Sequence, residues 1–215
     1  MSIFIYKENT MFQNAVKDIF KSAASSVVLR ILCRNRTGYS GRGLAAEAGI
    51  NHQVCINELK RLSDAGILNA SGQGKNRLYS LNEKSAVVQN IVMPVFQAEA
   101  QLVLQMGEYV FRACGRGVES VVLFGSTARD DAEDRGDIDV LIITRDEKSA
   151  KEAEIKSAEI TPEVSGMFGG IFSPVVMAAE KFRKGYKKKQ QLSVNIVREG
   201  RVIAGKGLAE VLGEH

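Results

Sequence analysis

The chain lacks any apolar run long enough to cross a bilayer. Its most apolar stretch, Ile91 to Val110, is interrupted by Pro94, Glu99, Gln101, Gln105 and Glu108, whereas a spanning helix needs about 20 consecutive apolar residues. The N-terminal MSIFIYK has no apolar core of the kind that directs secretion. A cytoplasmic protein with no membrane partner is therefore expected. Cysteine is scarce. Cys33, Cys55 and Cys114 are odd in number and widely scattered, which excludes a disulfide framework and a zinc-type spacing and fits reduced thiols. Of the two histidines, His52 could approach a phosphate or simply be solvated, and His215 is terminal. No G-x-x-x-x-G-K-[ST] occurs, so a P-loop is excluded. The run Gly41-Arg42-Gly43-Leu44-Ala45-Ala46 imitates part of a dinucleotide fingerprint but follows a helical pattern where the fold requires a strand.

What is present is ordinary globular composition, 45% apolar and 25% charged over 215 residues. That length holds one large domain or two small ones, each with its own core. The charge is uneven: residues 1–84 carry 12 Lys and Arg against 6 Asp and Glu, and the remainder 17 against 19. A basic N-terminal part beside a near-neutral remainder predicts two domains, the first either facing an anionic partner or exposing a solvated basic surface.

The first domain is expected over residues 8–84. Helical spacing links Phe12, Ala15, Val16, Ile19 and Phe20, then Val27, Val28, Ile31 and Leu32 after a capping cluster at Ser22 to Ser26. Residues 35–40 read as a loop. Ser40 can cap a short helix ended by Gly49, and a second helix from Ile50 to Leu62 follows. On it Cys55, Leu59 and Leu62 share one face, with Gln53, Asn57 and Lys60 opposite. Two short apolar runs then flank SGQGKN, as in a β-hairpin with Lys75 and Arg77 at its tip.

This order resembles the winged helix-turn-helix family of DNA-binding domains. The resemblance implies double-stranded DNA as partner, with Gln53, Asn57 and Lys60 reading the major groove and Lys75 and Arg77 on the wing. A winged helix used for protein contact or dimerisation is the alternative. Residues 85–116 read as connecting helices that Pro94 should break or kink. Their apolar set, Phe96, Ala100, Val103, Leu104, Val110 and Phe111, suits either a homodimer helix or a first helix packed on the next sheet.

The last domain, residues 117–215, opens with an apolar strand pattern at Val121 to Phe124 and the turn Gly125-Ser126. A short helix is expected at Thr127 to Asp131. A second strand pattern, Ile138 to Ile143, is entered through Asp137, and the period of two puts Asp137 and Asp139 on one side of it. Two adjacent carboxylates repel, and a divalent cation between them relieves this; a solvated acidic turn or a Ca2+-type loop is the plainer reading. Backbone N–H groups and a hydroxyl after a strand outline a phosphate site.

The pattern G-S-x10-D-x-D between two strands resembles the nucleotidyltransferase superfamily that includes DNA polymerase beta, and most closely its small bacterial minimal branch. The resemblance implies that Gly125 and Ser126 hold a nucleoside triphosphate and that Asp137 and Asp139 ligate Mg2+. It also implies in-line attack of an acceptor hydroxyl on the α-phosphorus, with pyrophosphate leaving. Members of that branch often modify a partner toxin, so a protein acceptor is among the implied partners. Active relatives usually carry a third carboxylate on a later strand. Here the candidate strand Ile171 to Met177 contains no acid. The expected architecture is mixed α+β: a winged helix-turn-helix joined to a nucleotidyltransferase-like sheet flanked by helices. The chain is either a DNA-binding protein that binds Mg-NTP and transfers a nucleotidyl group, or a transcriptional regulator whose transferase fold is an inactive nucleotide sensor or dimer platform. A helix from Asp146 to about Glu159 should cover the sheet with Ala150, Ala153, Ile155 and Ala158. The segment Glu180 to Gln191 carries six cations that either grip phosphates or form a solvated face, and Leu192 to Val197 can add a strand.

Overall fold

The computed structural model describes residues 14–72, 77–125 and 137–213. The fold is mixed α+β, and the chain divides into two compact units, Met1–Glu99 and Ala100–His215.

In the first unit α1 spans Ala15–Ile19 and α2 spans Ala23–Arg34. The expected serine cap is real and reciprocal: Ser25 N–H donates to Ser22 Oγ at 3.1 Å, and Ser22 N–H donates to Ser25 Oγ at 3.3 Å. The segment read as a loop ends in a short strand, β1 (Tyr39–Ser40). Nothing local marks it, because its partner lies near residue 79, where Tyr39 pairs with Tyr79. Ser40 then caps α3 (Gly41–Glu47), accepting from Gly43 N–H at 3.1 Å. Helix α4 (His52–Asp64) follows the Gly49 turn, whose φ of +63° is glycine territory. Strands β2 (Leu68–Ser71) and β3 (Leu78–Leu81) form an antiparallel hairpin, in a sheet of order β1-β3-β2. Leu29, Leu44, Cys55, Leu59 and Leu62 are wholly buried between these elements. Helix α3 approaches α4 so closely that a Cβ on Gly41 would overlap Ile56.

One charged side chain on α4 faces inward. Glu58 is buried, and Ser25 Oγ donates to its Oε1 at 2.6 Å while the Arg61 guanidinium donates to both carboxylate oxygens. Arg61 also reaches the carbonyl of Ile19, so one ion pair ties α1, α2 and α4 together. Burial pushes the Glu58 carboxyl up, but the hydrogen bonds from Arg61 and Ser25 together with the charges of Arg61 and Lys21 outweigh it and hold the group below its ordinary range.

Pro94 does not break the helix. It is the second residue of α5 (Met93–Ala113), directly after a π-helical turn over Val88–Val92. There Met93 N–H bonds to the Val88 carbonyl, five residues back. The widened turn makes room where a proline ring would strike the preceding carbonyl.

The second unit begins within α5, whose Met106 and Val110, with Cys114 just past its end, are buried against a four-stranded sheet. Of the two readings of this helix, packing on the sheet is the one these residues adopt. A Cβ on Gly107 would come within 2.5 Å of the Ile203 carbonyl oxygen. The sheet comprises β4 (Val118–Leu123), β5 (Asp137–Thr144), β6 (Ile171–Ala178) and β7 (Arg201–Gly205), in the order β6-β5-β4-β7. Strands β5 and β6 run parallel, joined through α6 (Glu147–Phe168), and the other pairings are antiparallel. Pro174 is tolerated because β6 is an edge strand.

Helix α6 runs well past Glu159. Pro162 lies on its exposed side, and the Thr161 hydroxyl donates to the Ser157 carbonyl at 2.8 Å. Ala150 and Ala153 face the core as expected, but Ile155 and Ala158 are exposed; Ser157 and Val164 continue the buried stripe. The segment 192–197 is helical, not extended. It lies in α8 (Gln191–Glu199), which buries Ser193 and Ile196, three positions apart. Helix α7 (Ala179–Lys187) precedes it, and α9 (Leu208–Leu212) closes the described chain.

The Glu58 pair generates a pH prediction. A carboxyl lowered in the fold stabilises it above the unfolded carboxylate range and ceases to do so as pH falls through the folded value. Glu58→Gln should cost the first unit about 1–3 kcal/mol at pH 7 and flatten its acid limb. Amide hydrogen exchange in α2 and α4 between pH 7 and pH 3 reads both effects; unchanged protection would refute the assignment.

Candidate functional site

Strand β5 alternates strictly. Ile138, Val140 and Ile142 enter the core formed with α5 and α6, while Leu141 and Ile143 enter a second core with Ala179, Phe182 and Ile196. Asp137 and Asp139 are in phase with Leu141 and Ile143. They therefore lie on the α7–α8 side, at the end where β5 begins. Asp137 is exposed and Asp139 half-buried. Burial raises the Asp139 carboxyl above its ordinary range, and the neighbouring charge of Asp137 raises it further.

Strand β4 ends beside this pair. Phe124 N–H donates to the Asp139 carbonyl at 2.9 Å, which seats the turn against β5. Gly125 follows with φ of +75°, and a Cβ there would overlap the Asp139 carboxylate. Its glycine is thus required twice, once by backbone sign and once by the carboxylate occupying the side-chain space. Sequence reasoning assigned Gly125 to phosphate alone and missed this second demand, which only the β4–β5 pairing creates. Ser126 and the helix expected at Thr127 to Asp131 lie outside the described residues.

The parallel neighbour β6 places Ser173 in register with Asp139, and Ile171 with Asp137. Ser173 and Ile171 share the aspartates' face, so the strand position nearest the pair carries a hydroxyl and an alkyl group. Among the described residues no cluster of three or more His, Cys, Asp or Glu could hold a metal ion. Glu163 lies elsewhere. It hydrogen-bonds Tyr109 and belongs to α6, on the opposite side of the sheet. A hard divalent cation such as Mg2+ fits the two carboxylates in donor chemistry, because it takes one or two of them and completes its shell from water and phosphate oxygens.

In the first unit, Gln53, Asn57 and Lys60 are exposed on α4, opposite the buried Cys55, Leu59 and Leu62. Gln53 Nε2 donates to Asn57 Oδ1 at 3.0 Å. Arg77 is exposed at the start of β3's approach, and Lys75 lies outside the described residues. Sequence reasoning passed over Arg42, which lines a shallow recess with His52 between α3 and α4. Its signal was hidden in the glycine-rich run read only as a failed fingerprint.

Comparison with known proteins gives one match to a family model. Residues 110–201 match the family described as "Nucleotidyltransferase domain", a span that includes Gly125, Ser126, Asp137, Asp139 and Ser173. The matched span lies wholly within the second unit. No curated protein matches the chain. Two solved structures show distant likeness. "Crystal structure of the toxin-antitoxin with AMP-PNP" is 13% identical over 50% of this chain and 77% of its own, with a TM-score of 0.35. The homodimeric winged helix-turn-helix DNA-binding domain (fragment 1–100) of a Mycobacterium bovis protein is 17% identical over 47% of this chain and 91% of its own, with a TM-score of 0.32. At these scores neither likeness bears on what this chain binds.

Two substitutions test the local geometry. Asp139→Asn removes a half-buried charge beside a like one and should raise Tm in metal-free buffer at neutral pH. Gly125→Ala should cost about 1–2 kcal/mol from the left-handed backbone alone, read by calorimetry on the same protein. A fall in Tm for the first, or no change for the second, would contradict the structure of the turn.

Proposed function

We propose that the second unit binds a nucleoside triphosphate with Mg2+ at the Gly125–Ser126 turn and the Asp137–Asp139 pair, and that the first unit binds double-stranded DNA. The observation that carries the reading is the Asp139 carboxylate held against Gly125, with Asp137 on the same face of β5. The family match over residues 110–201 supports it. Asp137 and Asp139 would hold the cation, which supplies charge neutralisation for the phosphates and a Lewis acid at the reacting phosphorus. Gly125 leaves room for the carboxylate and turns the backbone, and Ser126 offers a hydroxyl to a phosphate oxygen. The transferred group would be a nucleotidyl group, and the acceptor a hydroxyl, on a partner protein such as a toxin among other candidates.

A specific observation favours a second reading. Ser173, not an acid, stands in register with Asp139, so the described residues give the acceptor side of the site no third carboxylate. That arrangement supports the alternative of nucleotide binding without turnover, in a cytoplasmic transcriptional regulator that senses NTP or dimerises through this unit.

For the first unit, the exposed Gln53, Asn57 and Lys60 on α4 and the antiparallel β2–β3 pair with Arg77 exposed beside β3 support the winged-helix reading, with α4 in the major groove and the β2–β3 wing, including Lys75 by sequence, on the backbone.

The readings separate by experiment. Labelled NTP with Mg2+ and cell extract should label an acceptor, and Asp137→Asn with Asp139→Asn should abolish both that label and Mg-dependent nucleotide binding by calorimetry. Nucleotide binding without label selects the sensor; labelling that survives the double substitution rejects the ligand assignment. The protein should also retard its own promoter DNA with a steep salt dependence. Replacing Lys75 and Arg77 should reduce the slope of log K against log salt by about 2. An unchanged slope rejects the wing assignment.

A further inference from the structure

The run Lys181-Phe182-Arg183-Lys184-Gly185-Tyr186-Lys187-Lys188-Lys189 holds six cations in nine positions, and neither unit's proposed site uses them. Helix α7 buries Ala179, Phe182 and Gly185 and turns Lys181, Lys184, Lys187 and Lys188 outward. Lys184 pairs with Glu180 at 2.6 Å, and Arg183 Nε donates to the Val211 carbonyl at 2.7 Å. Lys187, Lys188 and Lys189 are exposed and hold no ion pair among the described residues.

A solvated helix end accounts for part of this. Cations near a helix C-terminus complement the dipole, which suffices for Lys184 and Lys187. It does not account for Lys189. The helix ends in a Schellman arrangement, Gln190 N–H to the Gly185 carbonyl and Lys189 N–H to the Tyr186 carbonyl, both at 2.9 Å. The position between them takes left-handed backbone and is commonly glycine. Here it is lysine with φ of +54°, the one non-glycine residue with positive φ among those described. A charged side chain is thus kept where the fold prefers none, beside two more lysines whose repulsion adds to the cost. The turn is also firmly built, since a Cβ on Gly185 would lie 2.6 Å from Ser193 Oγ on α8.

We propose that the C-terminal end of α7, Lys187 to Lys189 with Lys181 and Lys184 behind it, is a docking surface for the phosphodiester backbone of a single-stranded nucleic acid. The ammonium groups of Lys187, Lys188 and Lys189, which hold no ion pair among the described residues, suit closely spaced phosphates. The flanking Gln190 and Gln191 are polar and exposed, which fits a wet backbone contact better than insertion among lipid chains. Helix α7 packs on the sheet face that carries Asp137 and Asp139, so a strand held there lies on the same side of the sheet as the carboxylates. The surface stands independently of whether that pair binds nucleotide.

The test is fluorescence anisotropy of a fluorescein-labelled single-stranded 20-nucleotide oligomer against the full chain, as a function of salt. Lys187→Gln, Lys188→Gln and Lys189→Gln together should weaken binding about tenfold and lower the salt slope by about 2, three phosphates at roughly 0.7 each. The triple variant should keep its Mg-NTP binding and its retardation of duplex DNA. Lys189→Gly should weaken binding while raising Tm by about 2–4 °C, as relief of the left-handed backbone requires. The proposal is overturned if the wild type does not bind the oligomer, if the slope is unchanged, or if Lys189→Gly binds as well as the wild type. It is also overturned if a polyglutamate peptide, or vesicles of phosphatidylserine and phosphatidylcholine, bind the wild type as tightly and lose binding in the triple variant.

Discussion

The alternation of β5 constrains everything else in the second unit. Val140 and Ile142 are fully buried under α5 and α6, and Leu141 and Ile143 are fully buried under α7 and α8. With both faces filled, a one-residue slip would exchange two dissimilar cores and drive both aspartates to the wrong side. The register against β4 and β6 is thereby determined, and it delivers Asp137 and Asp139 together at the strand's start, one against the Gly125 turn and both beside the start of β6. The local charge repulsion is tolerated because the burial of four alkyl side chains outweighs it.

The first unit rests on a comparable compromise. Helix α4 has to be amphipathic to close its core, yet it buries Glu58 along with Cys55, Leu59 and Leu62. The carboxylate survives because Ser25 and Arg61 satisfy it, and Arg61 in turn reaches α1. A buried charge with a full set of partners positions helices more strictly than alkyl packing does, since any sliding would leave it unpaired. The outward residues of α4 are consequently held on a fixed face.

Much of this was legible in the chain. Short apolar runs identified β4 and β5, the period of two put Asp137 and Asp139 on one face, capping serines located α2 and α3, and the glycine-punctuated helices of the first unit were placed to within a few residues. Errors arose where a local signal had a tertiary answer. Leu192 to Val197 has the composition of a strand, but Ser193 and Ile196 pack at helical spacing on the sheet. Pro94 reads as a break or kink, and a π-helical turn absorbs it; the helix expected to end near Glu159 runs on past Pro162, which sits on a solvent-facing side of α6.

The sequence by itself determined the candidate donors, Gly125, Ser126, Asp137 and Asp139, because side-chain chemistry and strand period are local properties. It also determined that the strand at residues 171–177 has no acid. Tertiary structure alone decided what stands next to what. The parallel β5–β6 register set Ser173 across from Asp139, and the β4–β5 pairing filled the space at Gly125 with a carboxylate. The Schellman turn put Lys189 in left-handed backbone. The first two proximities depend on strand pairing between residues well separated along the chain, and the third on the backbone sign at a helix end, which no side-chain pattern reports.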